Sequence, residues 1–412
     1  MKVVVVCAPQ TFGCNTGMYS VDLAAWYYFN KNFPDADLTF AVLYPHKCNF
    51  GNNPIEYCSL LDHPYLYDEA DLIVFWGDFL HAYDYRKAVT KQLVVKGYCA
   101  TDIEARSQVR KYLFLTGYNK NILQNVIIYG GTLLFNDLHS QEDQEYLEDQ
   151  VNLFKNCRRV WMRESFSAFK VQELLNDFSC SYHGTDCALF LPKDSPIDFD
   201  KDFDKTLKVQ SSVDPQKIMA VFLGRSKMPC DGISKFISNL NSNLNTNLYW
   251  LNWGVPPFFE DKREDIFVGL PELANKQLEG STPLAVLANL KHVNFIVSDT
   301  YHVCVNAWNL GIPALCIIDN THDNLGVNSG SELGKRDKRV AFYWSYNASP
   351  YLLYSSDLID DGSLEKKAAK LAELLVNKEN INFIRSNMVM HADAMQSLIK
   401  EVINEIDGVA KV

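Results

Sequence analysis

Short apolar runs of strand length recur along this chain with helical stretches between them, and they do so in two series. In the first, "KVVVVC", "LTFAVLY", "ADLIVFW", "NVIIYGG" and "RRVWM" are the runs, and "SVDLAAWYYFNKNF" and "HSQEDQEYLEDQVNLFKN" are the helical stretches. In the second, "KIMAVFLG", "NLYWLNW", "VNFIVSD" and "IPALCII" alternate with helices such as "TPLAVLANLKH", where Thr282 and Pro283 make a good helix start. Strand–helix alternation of this kind is the pattern of a doubly wound parallel sheet. Occurring twice, it predicts an α/β protein of two Rossmann-like domains facing a cleft.

The polar, acidic and aperiodic stretch "PKDSPIDFDKDFDKTLKVQSSVDPQ" separates the two series. It sets the expected organisation: an N-terminal domain at 1–192, a linker at 193–216, a C-terminal domain at 217–380 and a final helix at 381–412. The tail, from "SLEKKAAKLAELL" to "MQSLIKEVINEI", is rich in helix formers, and 412 residues suffice for two domains with separate cores. Asp and Glu number 50 against 39 Lys and Arg, a formal charge of −11 that disfavours nonspecific binding to nucleic acid or anionic lipid. The 11 cysteines are scattered singly, without CxxC pairs or zinc spacing, so a reduced cytoplasmic chain without a metal is expected. The opening "MKVVVVCAP" is too short for a signal peptide, and no apolar stretch reaches membrane length. Any contact with a lipid-linked molecule is therefore expected to be peripheral and local. Aromatic residues make up 13% of the chain, and they read mostly as core.

In open α/β sheets ligands sit beyond the carboxyl ends of the strands, where helix N-termini present unpaired N–H groups to anions. The loops at such positions supply the candidate residues. "VSDTYHVCVNAWNLGIPALCI" sets Ser298, Asp299, Thr300 and His302 between a strand and a helix, and His302 is the best-placed group to move protons near neutrality. "VWMRESFSAFKV" puts Arg163 at a helix start, where the macrodipole disfavours a cation and a two-pronged guanidinium suits an anionic ligand. "APQTFGCNTGMYS" offers Asn15 and Thr16 beside Gly13 and Gly17, whose bare backbones let a ligand approach. "FWGDFLHAYDY" offers Asp78 and His81, and "IIYGGT" offers Gly130 and Gly131. In "HGTDCALFL", Asp186 reads as a turn cap.

Taken together, "NTGMYSVDLAAW", "ADLIVFWGD", "VWMRESFSAFKVQELL", "TDCALFLP" and "FIVSDTYHVCVNAWNLGIPALCI" resemble the polysaccharide pyruvyl transferase family over most of the chain. The most specific parts are Arg163-Glu164-Ser165 and the series Ser298, His302, Ala307, Gly311, Pro313. The resemblance implies a GT-B-like pair of domains, acceptor on the N-terminal side and donor on the C-terminal side. It also implies transfer of a pyruvyl group from phosphoenolpyruvate, as co-substrate and without a cofactor, to two hydroxyls of a sugar or lipid-linked glycan. His302 and Arg163 are then the catalytic residues. Arg163, Ser298, Thr300, Gly224 and Arg225 face the donor, and Asn15, Thr16, Asp78 and His81 face the acceptor.

Two departures from the family pattern stand out. Thr300 takes the place of an arginine in the second motif, and Met18 follows Gly17 where the family has Gly-Asp. Either another cation supplies the missing charge, with Arg225, Lys335 and Arg336 as candidates, or the donor is not phosphoenolpyruvate. A glycosyltransferase using a nucleotide sugar is the second reading, since fold does not fix function. A sugar-binding protein without catalysis is the third.

Overall fold

Val3, Val4, Val5 and Val6 are all buried, on both faces of strand β1 (Lys2–Val6), so both faces of the sheet that contains it must be covered. The computed structural model describes residues 1–8, 14–45, 54–134, 143–192, 217–223, 230–255, 267–278, 280, 282–319, 337–359 and 362–410. In it β1 lies between β3 (Asp37–Val42) and β5 (Leu72–Asp78), parallel to both. The sheet extends through β4 (Tyr57–Ser59) on one side, and through β6 (Val126–Gly131), β7 (Arg159–Met162) and β8 (Tyr182–His183) on the other. A second parallel sheet is built around β9 (Ile218–Phe222). On one side stand β10 (Asn247–Leu251) and β12 (Gln277–Leu278), on the other β13 (Phe295–Ser298), β14 (Ala314–Ile318) and β15 (Leu352–Tyr354). In both sheets the first strand of the half lies inside the sheet, with the order reversing beside it, as in dinucleotide-binding folds.

Helices cover both sheets. In the first half these are α1 (Thr16–Asn32), α2 (Tyr83–Val95), α3 (Asp102–Leu113), α4 (Gln144–Asn156) and α5 (Ser165–Leu175). In the second they are α6 (Cys230–Leu244), α7 (Pro283–Asn289), α8 (Tyr301–Asn309) and α9 (Lys338–Ser345), followed by α10 (Leu364–Val376) and α11 (Lys378–Ala410). The Thr282–Pro283 start is as expected: Thr282 Oγ1 accepts from Ala285 N at 3.2 Å and Pro283 opens α7. The expected linker, 193–216, lies outside the described residues.

The halves are joined by more than chain connectivity. One buried apolar cluster runs from Val5, Tyr28, Trp76 and Phe190 of the first half into Val221, Ile296, Trp308 and Ile399 of the second. A separate cluster, including Val4, Phe75, Ile128 and Val160, fills the other face of the first sheet. Aromatics concentrate in these cores: Trp76 lies 5.1 Å from Tyr129 and 5.7 Å from Phe190, ring centre to ring centre. Such pairs contribute about 0.5–1.5 kcal/mol each beyond their burial. A short antiparallel ribbon, β2 (Cys14–Asn15) with β11 (Gly254–Val255), ties the two halves by backbone. Helix α11 returns to the first half, where Tyr28 Oη donates to Gln396 O at 3.1 Å and Arg158 pairs with Glu405 at 2.9 Å.

Candidate functional site

The loop after β13 is built by its own polar groups. Ser298 Oγ donates to Phe222 O on the neighbouring strand at 2.7 Å and accepts from Thr300 N at 3.1 Å, turning the chain into α8. Thr300 is the extended residue before α8, and its hydroxyl donates to Asp299 Oδ1 at 3.0 Å. Arg339, held by several contacts to Asp337, donates through Nη1 to Asp299 O at 2.7 Å and so fixes this loop to the start of α9. Tyr301 and His302 then occupy the first turn of α8.

Two loops of the first half meet that turn. Arg163 follows β7, its N–H donating to Gly131 O at 2.8 Å, and its buried side chain lies 3.3 Å from Glu164. Glu164 is occupied locally, its Oε1 accepting from Thr132 Oγ1 at 2.9 Å and from Ser167 Oγ. Asp186 follows β8. Its Oδ1 accepts from Ala188 N at 2.9 Å, the expected cap. Its Oδ2 stands 3.6 Å from Arg163 Nη1 and 3.6 Å from His302 Nε2, between the two groups that the sequence singles out. Burial acts to raise the Asp186 pKa, but His302 and then Arg163 outweigh it and hold the carboxyl below the usual carboxylate range. Asp186 is therefore a charged link between the halves as well as a cap.

The other nitrogen edge of His302 is closed by α1. A Cβ on Gly17 would lie 2.6 Å from His302 Cβ and 2.7 Å from Nδ1. The bare backbone at Gly17 thus admits a side chain from the other half, where the sequence suggested a ligand. Asn306 reinforces this contact, donating to Ser20 Oγ at 3.0 Å and to His302 O at 2.8 Å. One turn on, Asn309 donates to Leu191 O at 2.9 Å.

Aromatic rings and a second cation complete the site. The Arg163 guanidinium lies 4.9 Å from the centre of the Tyr301 ring and 6.0 Å from that of Phe79. Lys338, the first residue of α9, places Nζ 4.8 Å and 4.4 Å from the same two rings. Burial, followed by the charge of Asp186, pushes the Tyr301 phenol well above its ordinary pKa, so it remains protonated near neutrality. Lys338 was missed by sequence reasoning, which favoured Lys335 and Arg336 a few residues earlier. The signal available was the same as for Arg163: a cation at a helix start.

Several expected site residues serve other roles. His81 is a core group: its ring centre lies 4.8 Å from Phe75, 5.6 Å from Phe114 and 5.7 Å from Phe154. Burial there pushes its pKa down to about 3, so it is neutral, and only 3% of the residue is exposed, which leaves no edge for an acceptor. Asn15 caps α1, accepting from Gly17 N at 2.9 Å, and Thr16 is fully buried beside it. Ser298 and Thr300 shape the loop as described. Gly130 adopts φ +71°, and a Cβ there would collide with Cys187. Asp78 ends β5 opposite Gly131, with only its backbone described. Gly224, Arg225, Lys335 and Arg336 lie outside the described residues, as does Gly13. Among the described residues no group of three or more His, Cys, Asp or Glu side chains is arranged to hold a metal, and no helix is long and apolar enough to cross a membrane.

Comparison with known proteins agrees with this architecture. Solved structures that share the fold include the UDP-GlcNAc 2-epimerase of Neisseria meningitidis bound to UDP-GlcNAc. It has a TM-score of 0.51 and 14% identity, with 98% of this chain and 100% of that one covered. The UDP-GlcNAc 2-epimerase of Methanocaldococcus jannaschii has a TM-score of 0.50 at 12% identity, covering 97% of this chain and 99% of that one. At such identities the likeness is one of fold: two Rossmann-like domains in a GT-B-like arrangement. No curated protein sequence matches. The family model described as "Polysaccharide pyruvyl transferase" matches residues 23–321, which take in Arg163, Asp186 and His302. With that match covering well over half of its length, the chain belongs to the polysaccharide pyruvyl transferase family.

Proposed function

We propose that this transferase moves the pyruvyl group of phosphoenolpyruvate onto two hydroxyls of a sugar, in a polysaccharide or a lipid-linked precursor, and that it acts in the cytoplasm. The observation that supports this reading is the line Arg163–Asp186–His302, assembled from loops of both sheets. Ketal formation adds one proton to the methylene carbon of the donor and removes one from each of two hydroxyls. The balance leaves with inorganic phosphate as the C2–O bond to phosphate breaks and two C2–O bonds to the sugar form. A group that both gives and takes protons fits these steps. His302 Nε2 is the nitrogen turned toward Asp186, and the Asp186 carboxylate favours the orientation and charge that proton delivery needs. Arg163 holds the anionic donor and stabilises charge as it gathers on the departing phosphate.

The test is to incubate the protein with phosphoenolpyruvate and a panel of sugars, following phosphate release and the new ketal methyl group by NMR. Release of phosphate with ketal formation is the expected result. Consumption of a nucleotide sugar with phosphoenolpyruvate untouched would replace this reading with glycosyl transfer. Sugar binding without turnover of either donor would leave a non-catalytic binder.

A further inference from the structure

Helices α2 and α3 carry exposed apolar side chains at the turn that joins them. Val95, Tyr98 and Ile103 are 70%, 39% and 83% exposed, while the inner faces of the two helices supply Val89, Leu93, Ala105 and Val109 to the core over the first sheet. Behind the turn the exposed faces are basic. Lys91 and Lys87 share the face of α2 that ends at Val95, Lys111 shares the face of α3 that begins at Ile103, and all are exposed. Lys96 enters the turn itself, its Nζ 5.0 Å from the centre of the Tyr44 ring. Residues 83–113 hold seven Lys and Arg against three Asp and Glu, in a chain whose formal charge is −11. Arg86, Arg106 and Arg110 pair with Glu145 of α4, and Glu104 turns back to accept from Ala100 N at 2.8 Å. The four lysines, facing Asp84 and Asp102, therefore set the sign of this surface. Tyr98 stacks on Tyr44, ring centres 5.6 Å apart, and Tyr44 follows β3 at the carboxyl end of the first sheet. The turn thus stands at the end of the sheet from which the loops of the site emerge.

An apolar tip with a basic collar suits a bilayer surface, where apolar side chains enter the boundary between headgroups and acyl chains and long lysine stems carry their charges back to the phosphates. We propose that the turn between α2 and α3 is a membrane-docking surface, with Val95, Tyr98 and Ile103 entering an anionic bilayer and Lys87, Lys91, Lys96 and Lys111 meeting its headgroups. Charge complementarity favours lipid over a second copy of this chain, because a symmetric pairing would set one lysine collar against another. The negative charge carried elsewhere repels the same lipids, so docking through this turn is oriented and brings the site's end of the first sheet to the membrane. A lipid-linked acceptor would be met there. That acceptor rests on the pyruvyl-transfer reading, whereas the docking surface is tested without it.

The experiment is co-sedimentation of the full chain with vesicles of mixed phosphatidylcholine and phosphatidylglycerol and, separately, of phosphatidylcholine alone. Wild type is expected to partition onto the anionic vesicles and to be released by salt. Ile103→Asn, which removes an apolar group from the tip, and the double substitution Lys87→Gln with Lys91→Gln should each weaken partitioning by about 10-fold or more. All three side chains are exposed, so thermal melts should match wild type, and the lysine pair carries the comparison if Ile103→Asn does not fold. A wild type that stays in the supernatant overturns the proposal, as does binding that both variants keep or binding of equal strength to neutral vesicles. A dimer in size-exclusion chromatography that Ile103→Asn dissolves, without vesicle binding, overturns it too and makes this face an interface between copies. Docking by a protein that never transfers pyruvyl sustains this assignment and sinks that reading; pyruvyl transfer to a free sugar without vesicle binding does the reverse.

Discussion

At the scale of single residues, the three groups at the centre of the site differ in how they could be read. Arg163 and His302 stood out because each sits near the junction of a loop and the helix it leads into, and a side chain's position relative to a strand end is local information. Asp186 carried only a local signal, its cap. Its pairing with His302 joins residues from opposite halves of the chain, and no spacing encodes such a contact. His81 occupied the same kind of loop and proved to be core, because the aromatic groups enclosing it come from a distant helix and loop as well as from its own strand. Replacing His302 by Ala should lower kcat by about 10²–10⁴-fold with a smaller change in KM, as expected when a proton carrier is lost; an unchanged kcat would remove its catalytic role. Arg163→Ala should weaken phosphoenolpyruvate binding, and Arg163→Lys should fail to restore it, because an ammonium lacks the planar pair of donors. Binding by Arg163→Lys at wild-type strength would argue for charge alone.

Among the elements, the long apolar strands were legible from sequence and the short ones were not. β1, β3, β5, β6 and β7 in the first half, and β9, β10, β13 and β14 in the second, coincide with the runs that mark them. β4, β8, β12 and β15 are two or three residues long, too short for a periodic signal, and they exist because an open sheet edge recruits them. The approach of α1 to α8 was also invisible, since Gly17 reads in sequence as a turn glycine. The structure makes it the point where two helices from different halves meet, and a substitution there tests the contact. In an exposed helix Gly→Ala stabilises by about 1 kcal/mol. At Gly17 the added Cβ would lie 2.6 Å from His302 Cβ, so sterics outweigh propensity. Gly17→Ala should leave the melting temperature unchanged or lower and reduce kcat by displacing His302. A more stable and fully active variant would show that α1 and α8 separate freely.

For the molecule as a whole, one part-buried and one buried histidine, His183 and His81, predict how stability responds to acid. His183, beside His391 of α11 with ring centres 4.9 Å apart, has its pKa pushed down to about 4 by burial and then by the charge of His391. In the unfolded chain a histidine titrates near 6.5, so between about pH 6.5 and 4 the unfolded state binds more protons and stability falls as pH falls. His81, pushed down to about 3, adds to this in the same direction. The urea midpoint should therefore be lower at pH 5 than at pH 7.5, and His183→Asn should flatten the difference; a midpoint independent of pH would count against neutral histidines in the fold. The apolar cluster that runs through both halves has another consequence, for where the chain can be cut. Interfaces of that kind hold subunits together without a covalent connection. Residues 1–192 and 217–412 produced as two polypeptides in one cell should accordingly find each other, copurify at one-to-one stoichiometry and regain anion binding. Fragments that elute separately would mean that the peptide bonds between them, and not the shared interior, keep the halves in place.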